Sequence, residues 1–576
     1  MNEPRWSWLP APDTWKYHAL LLGLGIFVLG PLGGVTASYM NFSLGFYIGG
    51  QVLAGILGST VTYGYGAEGK HGANYIQTAA ASVASLSAMG VLIQAMVWMG
   101  LPQPPVWQMI LYFLCIGMFA AGVGMLYTPI LVDRMQLQFP SGLAVANILR
   151  ALTDPVLLKR SVTQLGGGMG VGFLVPLAAL KVELIDKIAF SASTLGAGMI
   201  VGARIGIPAI TAAIIGSLLT PWFISIGWLA EGDPYRKITF LIALGMIMGA
   251  ALLDISLILW EFSQRLRGGK KPPVEQADWK RVNTRKLVMW VIAWGIGVIA
   301  TGHLVLNQPM LYLLIAIALV FVFVMVNGIS LGLTDSNPIS SAFVVSVLIM
   351  ATAGLTDPGV GLLAGAILLI STNTAADMQQ DRSTGWRLGT NRVMQFRYQA
   401  AGILMGAIMG VVFAKLFMAA YPILLQDQTV MKAADQPPQW SAAMTYKFVG
   451  VLRSLTQPKP YQLTAIWWGV GLGFAFQLAR KLVKPKSWWM DAIVLPSPYA
   501  FSFGGFVNFW TSTWFGVGGI ASSLFNTFVK SKSAKDQSLP EDMSTTSLVG
   551  GGLIAGDAIA ALGIGIFGLL TTLLKS

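Results

Sequence analysis

Apolar stretches of about 17–25 residues, the length that crosses a ~30 Å hydrocarbon core as a helix, recur along nearly the whole chain. Leu20–Val35, Phe42–Thr62 and Ile238–Trp260 are examples. Only 11% of the 576 residues are charged and 55% are hydrophobic, whereas soluble domains carry roughly 25% charge. A soluble chain of this length would divide into domains with polar surfaces, and this one shows none. The 66 glycines suit helices that pack closely in lipid. The sequence therefore predicts an all-α, polytopic integral membrane protein.

A net charge of +13 would suggest nucleic acid in a soluble protein. Here the basic residues fall between apolar runs, so the bilayer explains them and no nucleic acid is implied. The opening MNEPRWSWLPAPDTWKYH lacks the short apolar core and cleavage site of a signal peptide. Cys115 stands alone, and His18, His71 and His303 are scattered, which leaves no disulfide framework and no metal cage. There is no HExxH or Walker motif, and Gly166–Gly170 reads as a packing run. Neither enzymatic chemistry nor a cofactor is expected.

Eight apolar runs lie between residues 18 and 262, and nine between 287 and 573. Residues 265–286 separate them, with eight Lys or Arg against Glu275 and Asp278. By the positive-inside rule this link is cytoplasmic. The link at 381–397, with four Arg, and the one at 480–486 fall on the same side. Asp427 and Asp435 against Lys432 put 424–446 outside, and the N-terminus is then cytoplasmic. The expected division is a half at 1–264, the linker, and a second half at 287–576. GANYIQTAA (72–80) aligns with DSNPISSAF (335–343), and GMIMGAA (245–251) with GLIAGDA (552–558), in the same order in each half. Internal repeats of this kind characterise transporters whose substrate site lies at the repeat interface.

Polar groups inside apolar runs are the candidate site. Asn74, Gln77 and Thr78 are read as opening a helix, and in lipid they must face the protein interior. They serve either as interhelical glue or as substrate contacts. Phe139-Pro140-Ser141-Gly142 starts a stretch too short to span, with Ser141 as N-cap of a re-entrant or broken helix. The other reading of that stretch is a short surface helix. Thr334, Asp335 and Asn337 precede a proline-started helix. Leu-Thr-Asp-Pro at 152–155 and 355–358 reads as helix-start punctuation. Among acids, Asp377, Asp381, Asp557 and Asp254 are candidates for proton coupling or gating, because intramembrane carboxylates are costly. Asp381 also has the simpler reading of an interfacial pair with Arg382 or Arg387, and Arg204 that of a structural counter-ion.

These segments resemble the oligopeptide transporter superfamily, and within it the yellow-stripe-like branch, of bacterial type. NYIQTAAAS (74–82), FPSGLAVA (139–146), GLTDSN (332–337), STNTAADMQQDRSTGW (371–386) and GGLIAGDAI (551–559) occur in family order. The resemblance implies a proton-coupled importer of about 14–16 helices in two homologous halves. Its substrates would be small peptides, peptide derivatives or metal complexes of peptide-like chelators. It also singles out Asn74, Gln77, Thr78, Asp335, Asn337, Asp377 and Asp557. Two departures stand out. Lys70-His71-Gly72-Ala73 precede Asn74 where relatives often carry an acid, and Gln380 follows Gln379 where many have one Gln.

The expected partners are a small peptide or metal chelate, protons and the lipid of a cell inner (plasma) membrane, and the reading admits a homo-oligomer. A channel would want a continuous polar pore, and the scattered polar sites fit alternating access better. A membrane-embedded enzyme would need a nucleophile–base or metal set.

Overall fold

A computed structural model describes residues 6–45, 51–137, 139–179, 181–182, 188, 190–267, 277–334, 337, 339–437, 439–456, 460–483, 487, 489–530 and 544–575. Every regular element among them is helical. Among the described residues ten helical stretches are long and apolar enough to cross a membrane, and Ala192–Val201, Ala203–Leu218 and Ala342–Thr352 are shorter apolar helices. The all-α, polytopic expectation holds. Asp335 and residues 268–276 of the basic linker lie outside the described residues.

Several spans are interrupted, each by a residue suited to the break. At Tyr63–Glu68 a 3₁₀ turn carries Gly66 at φ 61°, after which the helix Gly69–Ser87 begins. Gly202, at φ 77°, divides Ala192–Val201 from Ala203–Leu218; a side chain there would strain the backbone. Pro140–Ala151 and Ala443–Thr456 have 12 and 14 residues. At 1.5 Å per residue they reach roughly 18–21 Å, less than the hydrocarbon thickness.

Two expectations about helix starts need correction. Asn74 does not open its helix but lies a turn and a half inside Gly69–Ser87. Ser141 is not an N-cap: Pro140 occupies the first helical position, where its fixed φ fits, and Phe139 is the N-cap at φ 42°. The Phe139 N–H is held by the Gly332 carbonyl at 2.9 Å. The Leu-Thr-Asp-Pro sites are punctuation, as expected. Asp357 accepts from the N–H groups of Gly359 and Val360 at the start of Pro358–Leu388. Asp154 accepts from Val156 and Leu157 at the start of Pro155–Ala179.

Glycines set the closest helix crossings. Gly245 and Gly249 on Arg236–Arg267 face Gly469 and Gly473 on Pro460–Val483, so close that a Cβ on any of the four would strike a facing carbonyl. Gly168 and Gly172 on Pro155–Ala179 meet Gly552 and Gly556 on Thr545–Lys575 in the same way. Both are paired small-xxx-small contacts, in which backbones rather than side chains meet. Each joins a helix from the first part of the sequence to one from the last.

Candidate functional site

Pro358–Leu388 is buried along nearly its whole length and carries polar side chains through its second half. A helix polar inside an apolar bundle must find partners; Val106–Thr128 supplies those of Gln379, and three other elements supply those around Asp381.

The first is Gly69–Ser87. Asn74, Gln77 and Thr78 stand at i, i+3 and i+4, on one face, and all three are fully buried. Gln77 Nε2 donates to Asp381 Oδ1 at 2.6 Å. The second is Arg392–Ala420, whose Gln395 donates to Thr78 Oγ1 at 3.0 Å and to the Asp381 carbonyl at 2.7 Å. One turn on, Gln399 Oε1 accepts from Arg382 at 2.9 Å. The start of this helix is fixed by Asn391, its N-cap, and by a bidentate pair of Arg392 with Asp133 at 2.7 and 2.8 Å. Gly385 allows the approach: a Cβ there would lie 2.6 Å from Gln395 Oε1 and 3.4 Å from Asn74 Nδ2.

The third element is the short helix Pro140–Ala151. The Gly142 carbonyl accepts from Thr384 at 2.9 Å, and a Cβ on Gly142 would lie 2.7 Å from the Gln380 carbonyl. Ser141 is half-buried beside this contact. Asn337 reaches the same long helix nearer its middle. It accepts from Asn327 at 2.9 Å and donates to the Thr372 carbonyl at 3.4 Å. Thr372 and Asp381 are nine residues apart, or about 13 Å along the axis. One helix thus gathers the Asn74–Thr78 set at one level and Asn337 at another. Thr334 is the last residue of the helix Met310–Thr334.

Several polar atoms in this cluster have no hydrogen-bond partner among the described residues. They are both ends of the Asn74 amide, Gln77 Oε1, Asp381 Oδ2, and Arg382 Nε and Nη1. Asp381 is 1% exposed, so bulk water does not serve it. An unsatisfied buried polar atom costs about 1–3 kcal/mol, and here acceptors and donors are left open side by side.

The other candidate acids sit elsewhere. Asp377, one turn before Asp381, is half-buried. Asp557 is 2% exposed and accepts from the Ser193 N–H at 2.7 Å and from Ser191 at 3.1 Å, with the Tyr39 hydroxyl also against it. It caps the start of Ala192–Val201, where the helix dipole favours an anion. Asp254 is enclosed by Gln477, the Tyr499 hydroxyl at 3.0 Å and Lys481 at 3.0 Å. Arg204 is indeed a counter-ion, and its partner is Asp491, shared with Arg480.

Sequence reasoning missed Gln395 and Gln399 and placed Arg382 in an interfacial pair, because residues 381–397 look like a solvated basic link. In the structure the helix runs through to Leu388 and the next begins at Arg392. Arg382 and Arg392 are buried. Asp381 bonds Gln77 across the helix interface and does not sit at a solvated boundary. A separate cavity of about 290 Å³, edged by Trp222, Trp468 and Phe501, is apolar and shares no residue with this cluster.

A multi-pass α-helical protein whose buried polar groups converge on one interior helix has the build of a membrane transporter. Residues 17–567 match the family described as OPT oligopeptide transporter protein, and the chain belongs to that family. A stretch of 163 residues is 26% identical to the probable metal-nicotianamine transporter YSL6 of Arabidopsis thaliana. That stretch covers 24% of this chain and 24% of the plant protein.

Proposed function

We propose that the chain is a secondary active transporter that imports small peptides or peptide-like compounds together with protons across a cell inner membrane. The observation that carries this is the set of open acceptors and donors on Asn74, Gln77, Asp381 and Arg382. A carboxylate flanked by amides and by open guanidinium donors complements a solute that carries an ammonium and peptide groups. Binding such a solute satisfies atoms that are otherwise stranded, which gives the ligand a grip on one conformation over another. Asp381 is the coupling acid in this scheme, since an interior carboxylate without a full set of partners is the group most readily protonated and released. Asp557 is a second candidate, and Asp377 a gate.

The two-half organisation, 1–264 and 287–576 about a cytoplasmic linker, belongs to the same proposal. GMIMGAA (245–251) and GLIAGDA (552–558) both occupy glycine crossings, and their partners, GMGVGF (168–173) and GVGLGF (469–474), are alike as well. Rocking of one half against the other around the polar cluster would supply alternating access.

A second reading, uptake of a metal–chelator complex by the same route, is favoured by the resemblance to a probable metal-nicotianamine transporter. Purified protein in liposomes separates the two. Labelled di- to tetrapeptides and ferric or nickel chelates are offered with and without an inward proton gradient. Gradient-dependent accumulation of one class assigns the substrate. Downhill flux of many solutes, indifferent to the gradient, would overturn the carrier reading in favour of a channel.

A further inference from the structure

Lys447, on the short helix Ala443–Thr456, is 9% exposed. Its ammonium donates to Ser340 Oγ at 3.1 Å and lies over the Phe506 ring, 4.5 Å from the centroid. No carboxylate of the described residues comes within 4 Å of it. A buried ammonium without a counter-charge is among the most costly groups a protein can hold.

Other cations in the fold show what neutralisation looks like here. Arg392 has Asp133, Arg204 and Arg480 share Asp491, Lys481 has Asp254, and Arg453 has Asp427. Arg236 has no carboxylate among the described residues, yet its guanidinium is held by the Ser441 carbonyl at 2.9 Å and Gln428 Oε1 at 2.6 Å and lies on the Tyr446 ring. Among the described residues Lys447 has one hydroxyl and one ring face. An ammonium has three donor directions, and Ser340 fills one.

The surroundings favour an anion. Ser340 is the second residue of the helix Ile339–Thr352, whose N-terminal end carries positive dipole. Three residues earlier, Asn337 bonds the Thr372 carbonyl on the helix that also carries Asp381. Lys447 thus stands beside an element tied to the polar cluster.

We propose that Lys447 is the seat of a carboxylate group of the transported solute. The inference deepens the carrier reading and rests on it for the identity of the ligand as cargo. Both readings of the substrate contain the chemistry: a peptide ends in a carboxylate, and many metal chelates present one. Arrival of that group gives the ammonium its counter-charge, so solutes lacking the carboxylate bind markedly less well.

The test uses the full chain, purified in detergent and in liposomes, with trialanine, trialanine amide and ferric citrate as probes. Thermal unfolding titrated with each probe is expected to show a preference for an acid probe over the amide on the order of thirtyfold or more. Lys447→Gln should bring the ratio near one, while its ligand-free midpoint holds or rises because an unpaired buried charge has gone. Lys447→Arg should keep most of the preference. Stabilisation by trialanine, or instead by ferric citrate, that is lost in K447Q supports the assignment and tells which solute class supplies the carboxylate. An unchanged acid-to-amide ratio in K447Q overturns it. So does a wild-type protein without acid preference, even if the variants fail to fold. Acid-selective stabilisation that depends on Lys447 in a protein showing no gradient-driven uptake would overturn the carrier reading and leave the lysine assignment standing. Gradient-driven uptake of trialanine untouched by K447Q would do the reverse.

Discussion

Asp381 and Asp254 are both acids buried among transmembrane helices, and they are treated in opposite ways. Asp254 faces a lysine, an amide and a phenol, so that both oxygens are engaged. Asp381 receives one amide hydrogen on Oδ1, while Oδ2 is left open and Arg382 turns its own Nη2 to Gln399. In the first the carboxylate itself is fully paired, although Gln477 Oε1 is left open, and the contact fastens Arg236–Arg267 to Pro460–Val483. The second is incomplete without something else. An interior carboxylate is therefore informative less by its depth than by what its partners leave unfilled.

Four experiments break or sharpen that contrast. The largest effect is expected for Asp381→Asn, which keeps the size but removes the charge. Gradient-driven accumulation in liposomes should fall to the level of empty vesicles while counterflow exchange persists. Retained accumulation would remove Asp381 from the coupling role. For Asp254→Ala the outcome should be structural: a loss of about 1–3 kcal/mol, because the buried Gln477 amide and the Tyr499 hydroxyl lose their acceptor, with uptake per folded molecule near wild type. Denaturant or thermal unfolding reads the first and initial-rate uptake the second; if uptake falls as far as stability, the contrast fails. Gln395→Leu removes the donor to Thr78 and to the Asp381 carbonyl. It should cost about 1–3 kcal/mol and raise the half-saturating substrate concentration more than it lowers the maximal rate.

The smallest effect belongs to Asp233, in the loop before the helix Arg236–Arg267. Burial pushes its carboxyl up, but hydrogen bonds from Lys237, Lys432 and the Ala230 N–H outweigh that and hold it below the ordinary carboxylate range. A depressed carboxylate adds stability above the unfolded-state value, near 3.8, and loses it as pH falls through the folded one. Asp233→Asn should therefore cost ~1 kcal/mol or less at neutral pH, and variant and parent should converge in acid. Equal differences at all pH values would refute the electrostatic account.

Much of the architecture was legible because lipid enforces it: apolar length, proline-started helices and Asp N-caps are local signals, and Asp154 and Asp357 behave as their motifs say. Membership of the polar cluster was legible in part. Asn74, Gln77 and Thr78 announce themselves as amides and a hydroxyl in apolar sequence, and the structure brings them to Asp381. Arg382, Gln395 and Gln399 did not, since closely spaced arginines look like solvated charge until Asp133 and Gln399 are seen to enclose them. Lys447 was invisible for another reason. A single lysine in a short helix carries no pattern, and only its lack of a carboxylate partner among the described residues marks it.

The crossing of Pro155–Ala179 with Thr545–Lys575 has a bearing on how the protein is made. The earlier helix leaves the ribosome with a strip of bare backbone whose mate is translated more than 360 residues later. At about 5–20 residues per second that is a wait on the order of 20–70 s. Until Thr545–Lys575 inserts, the strip is without its mate. Premature termination anywhere before residue 545 consequently leaves an open seam near the beginning of the chain, and such truncated products are natural targets for membrane proteases.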